Sequence, residues 1–67
     1  MKLDKATELA IKYKQAVVAI VYDYMAGSDE TDYVVTEHVE AAIHHAIHDE
    51  HADQAFVLID HRISLTN

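Results

Sequence analysis

Residues 16–21 read AVVAIV and form the most apolar window of the chain, inside a longer segment, residues 4–26, that we predict to be the first helix. At about 100° per residue, the apolar side chains of this segment fall on two ridges on different sides of the helix. A surface helix buries only one apolar stripe, so we expect a partner to cover the second ridge. The main ridge comprises Ala6, Leu9, Ala10, Tyr13, Val17, Ile20, Val21 and Tyr24, and the second comprises Ile11, Val18, Tyr22 and Met25.

The ends of this first helix are indicated by an N-capping residue type and by the only glycine of the chain. Asp4 is suited to an N-cap, and Gly27 stands where a left-handed conformation would end the helix. Residues 27–32 read GSDETD, and this composition predicts an acidic loop over residues 27–35.

A second helix is predicted over residues 36–50, with Thr36 as its N-cap. Residues 52–64 have a further helical period, and its apolar face lies roughly opposite to that of the second helix. Either the chain breaks within residues 49–53 and a third helix follows, or one continuous helix buries different sides against different neighbours.

Both alternatives predict an all-α fold in a single domain, residues 1–67, as a three-helix unit or a helical hairpin. A chain of 67 residues buries only about 60% of the surface of its unfolded form, so association is a natural supplement to its stability. We therefore expect a homodimeric helical bundle. The predicted self-association residues are Ile11, Val18, Tyr22, Met25, Phe56, Ile59 and Ile63.

The composition restricts the partners and the chemistry of this chain. Because there is no cysteine, disulfides, thiolate zinc sites and cysteine nucleophiles are excluded. The formal net charge of −7 disfavours ordinary binding to nucleic-acid phosphates or to an anionic membrane. No apolar run resembles a secretory signal or a membrane span, so we expect a cytoplasmic protein.

Five of the six histidines lie in residues 37–51, EHVEAAIHHAIHDEH. On a helix they would all face away from the apolar side chains, which leaves them free to bind a metal, sense pH or contact a partner. His44 and His48 are four residues apart and His51 follows one turn later, so zinc, nickel, copper or cobalt could be bound there. The HExxH motif of zinc proteases is absent, however, and a solvated helix face is the simpler interpretation. No other cofactor is predicted.

Protonation of all six histidines would add six positive charges to the net charge of −7 and leave −1. Acidification through the ordinary histidine range, about pH 6.5, is therefore expected to change repulsion between subunits or attraction to a partner.

The predicted function is non-enzymatic binding of another macromolecule. The hydroxyl groups of the serines and threonines stand at predicted helix ends, where their usual role is capping, and no catalytic set accompanies them. Small acidic proteins of this kind include inhibitors, adaptors and antagonists, some of them virus-encoded, and the partner we expect is a protein with a basic surface. The predicted partner-binding residues are Asp29, Glu30, Asp32, Glu37 and Glu40.

An RNA-binding regulator is the alternative. Residues 47–56, IHDEHADQAF, resemble the second helix of the small plasmid-encoded family of RNA-regulating bundle proteins. This resemblance implies a dimeric helical hairpin that binds RNA. Four lysines precede residue 15 and would be duplicated across such a dimer, namely Lys2, Lys5, Lys12 and Lys14.

Overall fold

The protein is a three-stranded antiparallel sheet with one helix on each face. A computed structural model describes residues 1–25 and 28–62, with the backbone alone at residues 24, 25, 28 and 29. The strand order is β2-β1-β3, so β1 is the central strand and both of its neighbours are edge strands. The elements in chain order are α1 (Leu3–Tyr13), β1 (Ala16–Met25), β2 (Ser28–Thr36), α2 (Val39–His48) and β3 (Gln54–Asp60).

The prediction of an all-α fold is wrong, and the first helix shows why. It ends at Tyr13, and the segment that was predicted to continue it to residue 26 is β1 instead. This segment is rich in β-branched residues, which favour strands over helices. A strand that is buried on both faces also reads as one continuous apolar run. The apolar side chains of this segment are therefore divided between the two faces of a central strand. This division differs from the two predicted ridges, because Ile20 of the main ridge and Val18 of the second lie in the same core cluster.

The chain leaves α1 through a left-handed residue. Lys14 has φ 54° and ψ 53°, and its backbone N–H donates to the carbonyl of Ala10. The N–H of Gln15 donates to the same carbonyl at 2.9 Å, which is the hydrogen bond of a Schellman ending. At the other end of α1 the N-cap position is Lys2, without a side-chain cap, and the predicted cap Asp4 lies inside the first turn.

The predicted acidic loop over residues 27–35 is also wrong, because this segment forms β2. Its residues pair antiparallel with β1 from Asp29 opposite Asp23 to Thr36 opposite Ala16. The apolar second half of β2, Tyr33 to Val35, packs against the core clusters, whereas its first half is acidic. Gly27, the predicted helix end, lies outside the described residues.

The predicted third helix over residues 52–64 is a strand over Gln54–Asp60, and Ile63 and Ser64 lie outside the described residues. The chain leaves α2 at His48, inside the predicted second helix, and reaches β3 through residues 49–53. β3 pairs antiparallel with β1, and a shift in register leaves Leu58 as an extra residue between Val57 and Ile59. The predicted helical hairpin, three-helix unit and dimeric bundle are therefore excluded.

The core consists of two clusters, one on each face of the sheet. Successive side chains of a strand point to opposite faces, so β1 contributes to both clusters. On one face, β1 packs with α2 and the following turn; the buried members are Ala16, Val18, Ile20, Val39, Ala46 and Ala52. On the other face, β1 packs with α1; the buried members are Ala6, Ala10 and Val17.

Neither helix of the described residues has the length and hydropathy that a membrane crossing requires.

Candidate protein-binding surface

The turn between α2 and β3 brings several carboxylates together. α2 ends because the carbonyl of His45 accepts hydrogen bonds from the N–H groups of Asp49 (2.9 Å) and Glu50 (3.1 Å). The chain then turns through His51, which has φ 57°, and the buried Ala52 anchors the turn against the sheet. The side chains of Asp49, Glu50 and Asp53 are thereby left in solvent.

The adjacent end of the sheet adds two more acidic residues. The Asp53 N–H donates to the Val21 carbonyl at 2.9 Å, and Asp53 Oδ2 accepts from the Asp23 N–H at 2.6 Å. The Tyr22 hydroxyl donates to Glu50 Oε1 at 3.3 Å, and Tyr22 lies opposite Glu30 on β2. We call this surface the acidic end; it comprises Asp23, Glu30, Asp49, Glu50 and Asp53.

Two histidines lie on or beside the turn of the acidic end. His45 Nδ1 lies 2.8 Å from Asp49 Oδ2, and His45 Nε2 lies 3.8 Å from Glu50 Oε1. His51 is exposed on the turn. Residues 15–61 contain no lysine or arginine but ten of the twelve acidic residues, so the acidic end has no permanent positive charge beside it in sequence. A partner with a basic surface would find uncompensated charge there.

The five predicted partner-binding residues do not form one surface. Glu30 belongs to the acidic end, whereas Glu37 and Glu40 lie at the opposite end of the sheet, where β2 leads into α2. Glu37 follows Glu30 by seven positions, which is roughly 23 Å of extended chain. Asp32 lies between them and forms an ion pair of 2.7 Å with the Met1 amino group. The side chain of Asp29 is not among those described.

The sequence missed Asp23 and the turn carboxylates as parts of one surface. Asp49, Glu50 and Asp53 are close in sequence, but Asp49 and Glu50 fall within the predicted second helix and Asp53 within the predicted third. Asp23 was placed within the first helix, and only the pairing of β1 with β3 brings it to the turn. The missing information was the strand pairing.

The histidines of α2 face solvent, as the helical pattern predicted. Of the three predicted metal ligands, His44 and His48 are brought together: their rings stack with centroids 4.2 Å apart and planes inclined by 28°. His51 lies beyond the end of the helix, on the turn. Among the described residues, no three histidine, aspartate or glutamate side chains converge on a position for a metal ion. The pair offers two imidazoles, fewer than the three protein ligands of a typical zinc site.

Arg62 organises the end of the sheet opposite the acidic end. Its Nε and Nη2 donate to the two carboxylate oxygens of Asp60 at 3.0 and 2.8 Å, and its Nη1 donates to the Glu37 carbonyl at 3.1 Å. The hydrogen bonds from Arg62 lower the pKa of Asp60 from 3.8 to about 2, and those to Asp60 raise the pKa of Arg62. Together with Glu37, His38, Val39, Glu40 and Ala41, Arg62 lines a shallow cleft of about 360 Å³.

The predicted self-association residues have different positions in the fold. Val18 is fully buried in the core of a single chain, and Tyr22 and Ile59 pack beside the core, so these three are already covered. Ile11 on α1 and Phe56 on β3 are exposed, at 58% and 42%. The side chain of Met25 and all of Ile63 are not described. Of the predicted residues whose side chains are described, those that remain exposed to a second chain lie on α1 and β3.

The lysines that motivated the RNA alternative are exposed along α1 and at its ends. Lys5 and Lys12 lie within α1, and Lys2 and Lys14 occupy its two caps. The ammonium group of Lys12 lies 5.4 Å from the centroid of the Tyr13 ring. The segment that resembles an RNA-regulating helix, residues 47–56, instead spans the end of α2, the turn and the start of β3.

Comparison of the chain with protein-family models, with curated proteins and with solved structures gives no match.

Proposed function

We propose that this protein binds another protein without catalysis, as an inhibitor, adaptor or antagonist, and that its acidic end contacts a basic surface of the partner. The observation that carries this proposal is the gathering of five carboxylates at one end of the sheet, in a stretch without lysine or arginine. Such a surface accelerates association with a basic partner and disfavours acidic ones.

The position of these carboxylates relative to α2 supports a role in binding. Asp49 and Glu50 directly follow the C-terminus of α2, where the helix dipole is negative. An anion at this end costs roughly 0.3–1 kcal/mol of stability, and neighbouring anions repel each other. Residues that lower the stability of the fold and make no stabilising contact in exchange are typical of functional surfaces. The His45 ring contacts this cluster through Nδ1, 2.8 Å from Asp49 Oδ2.

The proposal is tested by affinity capture from cell extract with charge-reversed variants. The immobilised wild-type protein is expected to retain a protein with a basic surface, and retention should weaken as salt rises. Asp49→Lys/Glu50→Lys is expected to abolish this retention. Asp4→Lys/Glu8→Lys is the matched control, because it reverses the same number of charges on α1, and it should retain the partner. Circular dichroism establishes that each variant is folded.

Three outcomes would contradict the proposal. Equal retention by the two variants would remove the acidic end from the contact. Loss of retention only in Glu37→Lys/Glu40→Lys would move the contact to the opposite end of the sheet. Retention that disappears after ribonuclease treatment and after replacement of Lys5 and Lys12 would favour the RNA alternative.

A further inference from the structure

We infer that β3 is the edge through which two copies of this protein associate, with the two β3 strands antiparallel about a twofold axis. The two three-stranded sheets then form one six-stranded sheet. This inference concerns a surface separate from the acidic end, so it does not depend on the proposed function.

β3 has a hydrogen-bonded neighbour on one side only. In the order β2-β1-β3 it pairs with β1, and its other side is an edge. An edge strand presents a row of backbone N–H and C=O groups that can pair with another strand. A second copy of β3 provides the same row in the reverse direction, which is what a twofold antiparallel pair requires.

The side chains along this edge are apolar and exposed. Phe56, Val57 and Leu58 are 42%, 40% and 42% exposed, and they are consecutive. Phe56 lies opposite Ala19 and Val57 opposite Val18, so the two side chains belong to opposite faces of the sheet. Leu58 is the bulged residue and has no direct partner on β1. A second copy alongside β3 would shield apolar groups on both faces, as the hydrophobic effect favours.

The other edge strand is protected against such pairing. β2 carries Glu30 and Asp32 along its first half, and the Met1 amino group binds Asp32 at 2.7 Å. Charged side chains and a covering segment are the usual ways in which proteins block an edge. Between Asp53 and Asp60, β3 has no charged residue and no proline. Among the described residues, the chain thus protects the β2 edge and leaves the β3 edge unpaired.

The charges at the ends of β3 favour a second copy in the antiparallel direction. Asp53 precedes the strand, whereas His61 and Arg62 follow it. Asp60, the last residue of β3, is bound to Arg62 at 2.8 Å. Antiparallel pairing therefore brings Asp53 of one copy towards a neutralised ion pair of the other, whereas a parallel pair would place Asp53 beside Asp53. Because no charged residue lies between, the centre of the twofold pair involves no repulsion.

The small core gives this association a stabilising role. Of the ten buried apolar residues among those described, six are alanines, and the largest fully buried side chains are Val17 and Val18. Alanine removes little apolar surface from water, so one copy gains modest stabilisation from its core. Small domains often supplement such a core by oligomerisation.

The test is the mass of the protein in solution, measured by sedimentation equilibrium over roughly a hundredfold range of concentration. The wild-type chain is expected to be a dimer that dissociates on dilution. Leu58→Lys should raise the dissociation constant by roughly tenfold or more, because a lysine is disfavoured in a paired edge. Ile11→Lys is the matched control: it introduces the same charge at an exposed apolar site on α1 and should leave the dimer unchanged.

A wild-type chain that stays monomeric throughout this range would overturn the inference, as would equal dissociation of the Leu58→Lys and Ile11→Lys variants. Hydrogen exchange on the wild-type chain gives a second readout that needs no substitution. Amides of β3 that point away from β1 are expected to exchange more slowly as the concentration rises. No change in any β3 amide would exclude strand pairing. Neither measurement uses the basic partner, so its result is independent of the test of the acidic end.

Discussion

At the scale of single residues, Asp60 and Arg62 form the best-defined polar contact of the described chain. Asp60 ends β3 and accepts three hydrogen bonds from Arg62. Two come from the guanidinium group and one from the backbone N–H at 2.9 Å. A planar guanidinium that meets both oxygens of a carboxylate has fixed geometry as well as charge attraction. The contact holds the segment that follows β3 beside the start of α2, because Arg62 also binds the Glu37 carbonyl.

We expect Asp60 to make the protein less stable in acid. Its pKa is about 2 in the folded state, below the ordinary 3.8, so the stabilisation is fully present above about pH 4 and is lost as the pH falls through 2. Asp60→Asn should therefore show a smaller loss of unfolding free energy between pH 4 and pH 2 than the wild-type chain. Urea unfolding at a fixed protein concentration measures this difference.

Arg62→Gln is the control for this experiment. It removes the guanidinium donors but keeps the backbone N–H of residue 62, so it should reduce the acid-induced loss in part. The double variant should lose no less than Asp60→Asn alone. If Asp60→Asn loses as much unfolding free energy between pH 4 and pH 2 as the wild-type chain, Asp60 is not the source of the acid sensitivity.

Some residues of the candidate surface can be predicted from the sequence, but their arrangement cannot. The outward position of the α2 histidines followed from the helical period, because α2 is indeed a helix. The acidity of residues 29–32 was visible, but its location on a strand was not. Asp23 could join the candidate surface only through the pairing of strands that are far apart in sequence.

At the scale of elements, the boundary between α1 and β1 explains most of the error in the predicted fold. Neither glycine nor proline stands between the two elements, and the left-handed position is occupied by Lys14. Alanine and the aliphatic residues of β1 also fit a helical period over short windows, so periodicity alone could not separate the two structures. The run of β-branched residues in β1 was the signal that should have outweighed it.

Lys14→Gly is expected to stabilise the protein by about 0.5–1 kcal/mol, because glycine adopts positive φ without the steric cost that a side chain adds. Part of the gain is offset by the loss of a cation near the C-terminus of α1. Urea unfolding measures the change. Lys12→Gly is the matched control inside α1, and it should lower the stability by about 1 kcal/mol. If both variants lose stability, glycine at position 14 does not favour the left-handed conformation of the Schellman ending.

The strand β3 was predicted to be helical for a different reason. Its sequence, QAFVLID, lacks the alternation of polar and apolar residues that identifies a half-buried strand. The bulge at Leu58 also interrupts the period of two. Such a run of five apolar residues is compatible with a strand or with a piece of helix, and only its pairing with β1 decides between them.

At the scale of the whole molecule, the fold depends on β1. This strand pairs with both edge strands, and its side chains belong to both core clusters. The dimer predicted from the sequence is a helical bundle, in which two helices of one copy pack against two helices of the other. The sheet instead leaves the apolar edge of β3 as the surface that a second copy can cover.

The stability of the whole molecule should therefore depend on its concentration. If the dimer is the folded form that resists heating, mass action raises the unfolding temperature as the protein concentration rises. We expect differential scanning calorimetry to show an increase of several degrees over roughly a hundredfold in concentration for the wild-type chain. The increase should be absent in Leu58→Lys and retained in Ile11→Lys. An unfolding temperature that stays constant in the wild-type chain would count against a coupled dimer.

The position of β1 between its two neighbours also bears on how the chain is made. A ribosome releases the β1–β2 hairpin long before residues 54–60 leave the exit tunnel, since synthesis runs from the N-terminus. During that interval the most apolar strand of the nascent chain has one unoccupied side. The side of β1 that β3 later occupies therefore stays exposed until residues 54–60 emerge.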